Sequence, residues 1–252
     1  MADIWTACLI TLLVFGAALL GLRMRRSLPG PHLASEARDG VVRGTSTISL
    51  LASLVLGLLL STSKATLDNT DRQIQLHAAD LVALDQALQD YGPEAAALRG
   101  TVREVARRTL RDIWPPAGAP FLGLSDEAVA AALDSLARAA LDLPAAGPAQ
   151  QWARGQMLEL TAALRRQRIL LGEQAGPTVR PIFLVVLVAW ISALFFFYGL
   201  HTPANGSTLA AFLVFAVVTG SAFFLILEMD SPLEGILRIS STPLERALRT
   251  MQ

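Results

Sequence analysis

The chain contains few of the residues that build disulfides, zinc sites and catalytic centres. Its 252 residues include one cysteine, Cys8, and three histidines, His32, His77 and His201. A single cysteine excludes an intramolecular disulfide and a multi-cysteine zinc site. The histidines are far apart in the sequence, and no nucleophile elbow, phosphate-binding loop or paired-histidine metal motif is present. We therefore expect no enzymatic activity and no cofactor other than the metal ion considered below.

An excess of charge of either sign is also missing. Lysine and arginine total 21, and aspartate and glutamate total 21, so the formal net charge is +0. A protein that binds nucleic acid needs a basic surface for the phosphate backbone, so we expect no nucleic-acid partner. Hydrophobic residues make up 53% of the chain and the mean hydropathy is +0.47, which is too apolar for a soluble domain of this length. The composition therefore indicates a membrane protein.

Four stretches are long and apolar enough to cross a bilayer, which takes about 20 helical residues. The first stretch is followed directly by Arg23, Arg25 and Arg26. A secretory signal carries its positive charges before the apolar run, so we interpret this stretch as a retained transmembrane helix. The four predicted spans are residues 4–22, 45–63, 181–200 and 208–227.

The second span continues into a soluble helix. No proline interrupts residues 45–91, and Gly57 is the only glycine among them. Beyond Lys64 the apolar residues follow a seven-residue repeat, which is typical of a helix that buries one face in a bundle. The residues on this face are Leu67, Ile74, Leu81, Leu84, Leu88 and Tyr91.

Further amphipathic helices follow this long helix. Gly92 and Pro93 end it, and later proline-rich connections separate helices near residues 93–113, 126–141 and 149–173. No strand-like alternation is present, so the predicted fold is an all-α membrane protein with four transmembrane helices. The predicted organisation is a transmembrane hairpin over residues 1–64, a soluble helical bundle over 65–180, a second hairpin over 181–227 and C-terminal amphipathic helices over 228–252.

The C-terminal region contains two similar phrases, Ser231-Pro-Leu-Glu234 and Thr242-Pro-Leu-Glu245. Each combines a hydroxyl residue, a proline in the first turn and a glutamate three positions after the hydroxyl, which is the pattern of a capping box. We therefore predict two short amphipathic helices that lie along the membrane surface or on the bundle.

A row of small and polar residues follows one face of the second span at steps of three or four. Two interpretations remain open for this polar face. In the first, the face serves close helix packing, because small residues let helices approach each other inside a bilayer. In the second, the face lines a water-filled path in an oligomer that places several copies around one axis. The residues are Ser46, Ser49, Ser53, Gly57, Ser61, Lys64 and Asp68.

Two further groups of residues are candidate sites. His77 occupies an inward position of the heptad repeat, where it is either a hydrogen-bonded core residue or part of a ring of imidazoles in a parallel oligomer. Glu228, Asp230 and Glu234 lie near the end of the fourth span, and carboxylates of this kind suit calcium or magnesium. Alternatively, the acids serve helix ends and ion pairs.

Several phrases resemble the bacterial bestrophin-like family of integral membrane proteins. They include LVLGLLLSTSK, DYGPEA and the final third, from PIFLVVLVAWISALFFFYGLHTPAN to FLILEMDSPLEGILRISSTPLERAL. The most specific phrase combines Trp190, Asn205, Glu228, Asp230 and Gly235. The resemblance implies a distant relation to bestrophins, which are pentameric anion channels with four membrane helices, cytoplasmic termini and a pore lined by the second helix.

The hypothesis that follows is a homo-oligomeric ion channel of the bacterial inner membrane, a pentamer by analogy, with its pore along the polar face. Membrane lipids and the permeant ion are the expected partners. The alternative is a non-conducting interaction or sensor protein, in which the long helix mediates assembly or signalling. Lysines and arginines near the membrane ends are more numerous on the bundle side, which predicts a cytoplasmic bundle and cytoplasmic termini.

Overall fold

The computed structural model describes residues 2–26, 35–115, 127–173, 181–233 and 235–251, and within these ranges every regular element is helical. The predicted all-α fold is therefore confirmed. A 3-10 helix, Pro93–Ala95, precedes the third α-helix. The α-helices are α1 Ala2–Arg25, α2 Ser35–Tyr91, α3 Ala96–Ile113, α4 Glu127–Asp142, α5 Pro148–Glu173, α6 Pro181–His201, α7 Gly206–Asp230 and α8 Thr242–Thr250.

Four helices, α1, α2, α6 and α7, are long and apolar enough to span a membrane. They coincide with the four predicted spans, and each extends beyond at least one of its predicted ends. α7 begins at Gly206, two residues earlier than predicted, because Asn205 caps it: the Asn205 Oδ1 accepts from the backbone N–H of Thr208 at 2.8 Å.

α2 begins earlier than the sequence pattern predicts. It starts at Ser35, so residues 35–44, which precede the predicted span at 45–63, are also helical. No proline follows Pro31 in this part of the chain, and Glu, Ala and Arg at positions 36–38 favour helix. The glycines at 40 and 44 weaken a helix by only about 1 kcal/mol each, which an adjoining long helix can tolerate. The earlier start makes α2 57 residues long.

The described residues form two compact units. One, the membrane unit, is drawn from Met1–Thr66, Pro177–Ser231 and Gly235–Leu237. The other, the bundle unit, is drawn from Leu67–Gly176, Pro232–Glu234 and Arg238–Gln252. α2 therefore contributes residues to both.

Glycines bring α1 and α6 close together in the membrane unit. A Cβ added at Gly21 would overlap the carbonyl oxygen of Phe196, and one added at Gly199 would overlap the carbonyl oxygen of Ala18. Apolar burial gives little net drive between helices in lipid, so association depends on this kind of close van der Waals packing. The two glycines therefore set the distance between α1 and α6.

α1 packs against α7 in the same manner. A Cβ at Gly220 of α7 would overlap the hydroxyl of Thr11, whose Oγ1 donates to the Ala7 carbonyl oxygen at 2.9 Å. All four spanning helices contribute to an apolar core in the membrane unit. Its buried residues are Ile10, Val14, Ala52, Leu187, Ile191, Leu194, Ala216 and Phe223.

The bundle unit has its own core, built around the heptad face of α2. Ile74, Leu81, Leu84, Leu88 and Tyr91 are buried, as predicted, and Leu67 is partly buried. The α2 residues pack with one face from each of the other bundle helices, including Val102 and Ile113 of α3, Leu133 and Leu136 of α4, and Met157 and Leu164 of α5.

An ion pair between a partly exposed arginine and a buried aspartate supplements this core. The Arg99 guanidinium donates from Nε and Nη2 to the two carboxylate oxygens of Asp85, both at 2.8 Å, and Gln89 Nε2 donates to Asp85 at 3.1 Å. The pairing raises the pKa of Arg99 above its usual value. Because Asp85 is almost fully buried, these three donors supply the hydrogen bonds that water would otherwise provide.

The C-terminal region contains one of the two predicted short helices. The described residues from 231 to 241 are not helical, so the first prediction is wrong; Gly235 has φ +91, which a right-handed helix excludes. The second helix is α8, but its N-cap is Ser241 rather than Thr242. The Ser241 hydroxyl donates to Glu245 Oε1 at 2.6 Å, so the glutamate still serves the helix start. Glu234 lies outside the described residues.

Filling the contact between α1 and α6 should destabilise the protein. We expect Gly21→Leu to lower the free energy of unfolding by at least about 2 kcal/mol, because its side chain must displace backbone atoms of α6. The measurement is the midpoint of thermal unfolding in detergent, followed by size exclusion. Gly16→Leu is the matched control on the same helix, since a Cβ there meets no atom within 4 Å. Equal midpoints for the two variants would contradict the glycine contact.

Candidate functional site

The polar face of α2 is largely uncovered in the single chain. Of its seven residues, Ser49 is half-buried and the other six are exposed. Only 11% of the apolar window of α2 is buried, compared with 22–28% for the other three spans. The span that carries the polar face is therefore the one least covered by its own chain.

Gly57 does not serve close packing within the chain. A Cβ added at Gly57 would meet no atom within 4 Å, whereas Gly21, Gly199 and Gly220 are each in contact with another helix. The small residues of the polar face therefore differ from those that join α1 to α6 and α7. Close packing at Gly57 therefore requires a separate copy of the chain.

One end of the polar face meets a hydroxyl from α6. Ser49 Oγ lies 2.9 Å from the hydroxyl oxygen of Tyr198, and Ser53 Oγ donates to the Ser49 carbonyl oxygen at 2.8 Å. These side chains, with Thr219 of α7, line a cavity of about 200 Å³ whose other walls are apolar. Sequence reasoning missed Tyr198 and Thr219. The signal for Tyr198 was a phenolic hydroxyl within an apolar span, which needs a partner when it is buried.

The opposite side of α2 anchors the helix in the membrane unit. Ala52 is buried in the apolar core, and Val55, Leu56 and Leu59 are partly buried against it. This packing fixes the rotation of α2 about its own axis. Beyond Ser53 the described residues of the polar face, from Gly57 to Asp68, are exposed.

His77 lies in the core of the bundle unit. Only 3% of it is exposed, and its Nδ1 is 3.1 Å from the side-chain oxygen of Gln167, whose Nε2 donates to Asp80 at 2.7 Å. Burial lowers the pKa of His77 from its usual 6.5, against smaller opposing effects of the bond to Gln167 and the charge of Asp80. The neutral imidazole therefore serves as a hydrogen-bonded core residue of one chain.

Glu228 holds the turn that follows α7. Its Oε1 accepts from the backbone N–H groups of Ile236 and Leu237, the latter at 3.0 Å. Gly235, with φ +91, lies so close that a Cβ there would overlap the carboxylate. The carboxylate thus satisfies two backbone donors of the non-helical turn.

The other two acids of the predicted metal site are placed differently. Asp230 is buried at the last position of α7, and Glu234 lies outside the described residues. Among the residues that the structure describes, no three histidine, cysteine or acidic side chains are grouped to hold a metal ion. The contacts of Glu228 are accounted for by the backbone.

A family model for the Bestrophin-like domain matches residues 11–244 of the chain. The match extends from α1 into α8 and therefore includes all four spanning helices and the bundle. No curated protein and no solved structure was found to match the chain.

Protonation of His77 should destabilise the bundle. The folded-state pKa lies below the unfolded value of 6.5, so the unfolded chain binds more protons as the pH falls through 6.5. We expect stability to decrease below that pH by up to about 1.4 kcal/mol per pH unit. His77→Phe should reduce this slope in unfolding measurements between pH 7.5 and 5.5. Leu81→Val is the control, because it should lower stability at every pH and leave the slope unchanged.

Removing the Glu228 carboxylate should destabilise the turn after α7. We expect Glu228→Ala to cost about 2 kcal/mol, because two backbone N–H groups lose their acceptor. Glu228→Gln should cost less, since its amide oxygen can still accept. Thermal unfolding of both variants, with and without Ca²⁺ and Mg²⁺, distinguishes this role from metal binding. Equal losses in both variants, together with stabilisation of the wild type by either ion, would favour a metal site.

Proposed function

The chain belongs to the bestrophin-like family, and on that premise we propose that it assembles as a homo-oligomer and conducts ions across the bacterial inner membrane. The bundle and both termini are placed on the cytoplasmic side in this proposal. One observation carries it: from Ser46 to Lys64 the polar face of α2 lies in the membrane unit, and every one of its residues there except Ser49 is exposed in the part of the chain that the structure describes.

A polar face within a bilayer needs either a protein partner or water. Lipid tails offer no hydrogen bonds, so exposed polar groups in a span usually face other helices or a water-filled cavity. Helical geometry places the exposed Leu51, Leu54 and Leu58 on an apolar surface beside the polar face. A ring of copies would place these leucines against the neighbouring chain and the polar face toward the axis.

Rotational symmetry supports the same arrangement. A heterologous contact repeated around a closed ring places the same surface of every copy at the same distance from the axis, so a helix that faces the axis in one copy faces it in all. Five copies follow by analogy with the bestrophins. The bundle unit, which contains the continuation of α2, then serves as the assembly domain and as a possible gating element.

The chemistry of the polar face bears on the identity of the ion. The Ser53 hydroxyl donates its hydrogen bond to the Ser49 carbonyl oxygen. Only the lone pairs of the Ser53 oxygen therefore remain to contact an ion. Carbonyl and hydroxyl oxygens replace the hydration shell of a cation, whereas an anion needs donors. The comparison of chloride with potassium and sodium is therefore part of the test.

A non-conducting interaction or sensor protein is the second candidate. The observation that favours it is the continuity of α2, which runs from the membrane unit into the bundle unit as one helix. Such a helix can couple a change in the membrane to the surface of the bundle. The polar face would then be the contact between copies.

Bulky residues on the polar face should block conduction. We expect Ser53→Leu and Gly57→Leu to decrease ion flux severalfold in liposomes that contain the purified protein, with chloride, potassium and sodium compared and calcium present or absent. Gly16→Leu is the matched control, because it also places a side chain where a Cβ meets no atom within 4 Å, but on α1.

The outcomes of the flux measurement separate the two candidates. Wild-type flux in correctly assembled Ser53→Leu and Gly57→Leu proteins would show that the pore is elsewhere. The interaction or sensor function would be favoured by two results together. The liposomes would show no ion flux although the wild-type oligomer is folded, and a partner protein would copurify with the chain.

A further inference from the structure

A cavity of about 440 Å³ lies in the membrane unit, where α1 ends and α7 begins. We propose that it binds the phosphate group of an anionic phospholipid, with an acyl chain of the lipid along its apolar side. The lining residues are Leu19, Leu22, Arg23, Arg26, Ala204, Asn205, Gly206 and Leu209. This site is separate from the polar face of α2 and does not depend on whether the protein conducts ions.

The charge of the lining selects an anion. Among the described residues that line the cavity, Arg23 and Arg26 are the only charged ones, and none is a carboxylate. Both arginines are exposed, and neither forms an ion pair with any residue that the structure describes. Guanidinium groups match the geometry of phosphate oxygens and bind them through two parallel hydrogen bonds. The two positive charges therefore lack a counterion within the described protein.

The start of α7 adds backbone donors to the same cavity. Gly206 is the first residue of α7 and lines the cavity, while the Asn205 side chain already accepts from Thr208. The first N–H groups of a helix have no partner within it, and the helix dipole is positive at this end. The helix end alone would not identify a ligand, but here it faces the same space as Arg23 and Arg26.

The apolar part of the lining distinguishes a lipid from a soluble anion. Leu19 is 39% exposed and Leu209 is 43% exposed, and both belong to helices that span the membrane. A phosphate ion would contact the arginines and leave these leucines uncovered. A phospholipid places its phosphate at the boundary of the bilayer and its acyl chain beside the helices, so it matches both parts of the cavity.

Native mass spectrometry of the full-length protein in detergent tests the proposal. The probes are phosphatidylglycerol, which is anionic, and phosphatidylcholine, which is zwitterionic. We expect the wild type to retain phosphatidylglycerol preferentially, and Arg23→Gln with Arg26→Gln to weaken this retention at least about tenfold. Gly206→Leu should also weaken it, because a Cβ there meets no atom within 4 Å and the larger side chain takes up space beside the cavity.

Arg43→Gln is the control, because it removes an exposed arginine of the same unit that does not line the cavity. Retention equal to that of wild type in this variant is expected. The single variants Arg23→Gln and Arg26→Gln provide the test if the double variant does not fold, as judged by size exclusion. Equal retention of the two lipids, or equal loss in Arg43→Gln, would overturn the proposal. Displacement of the lipid by millimolar inorganic phosphate would also overturn it, in favour of a soluble phosphate ligand.

Discussion

The close approach of α1 to α6 is the contact on which the membrane unit depends. Gly21 and Gly199 allow the two backbones to touch at two levels, and Gly220 allows α7 to reach α1 in the same way. Between helices in lipid, where apolar burial gives little net drive, such contacts supply most of the attraction. With α1 occupied on two sides, α2 is held mainly through Ala52 and its apolar neighbours. The uncovered polar face is a consequence of this arrangement.

Two exposed hydroxyl groups on the membrane part of α2 are satisfied by the helix that carries them. Ser53 donates to the Ser49 carbonyl oxygen, and Thr62 donates to the Leu58 carbonyl oxygen at 2.9 Å. A hydroxyl bonded in this way costs little in an apolar environment and still presents its oxygen outward. The polar face can therefore exist on a folded single chain before any partner is present. The folding of this transmembrane helix therefore does not require the polar face to have its functional partner.

The sequence predicted the features that depend on local composition and period. The spans followed from long uncharged runs, and the inward face of α2 in the bundle followed from its seven-residue repeat. Contacts between distant residues were not predictable in the same way. In the non-helical turn after α7, Glu228 accepts hydrogen bonds from the backbone N–H groups of residues eight and nine positions later. These bonds hold a turn where the capping pattern at Ser231 predicted a helix. The bond between Ser49 and Tyr198 joins residues 149 positions apart.

The buried residues of α2 follow the same seven-residue spacing in the membrane unit and in the bundle unit. In the membrane unit the inward residues include Ala52 and Leu59, and in the bundle unit they include Ile74, Leu81 and Leu88. Apart from one extra residue between the two sets, the spacing is seven throughout, so the buried side of the helix changes little along its length. The other side is then left for residues that need not be apolar, from Ser46 to Asp68. The polar face thus lies on a side of α2 that neither core buries, so its residues are not constrained by the packing of the single chain.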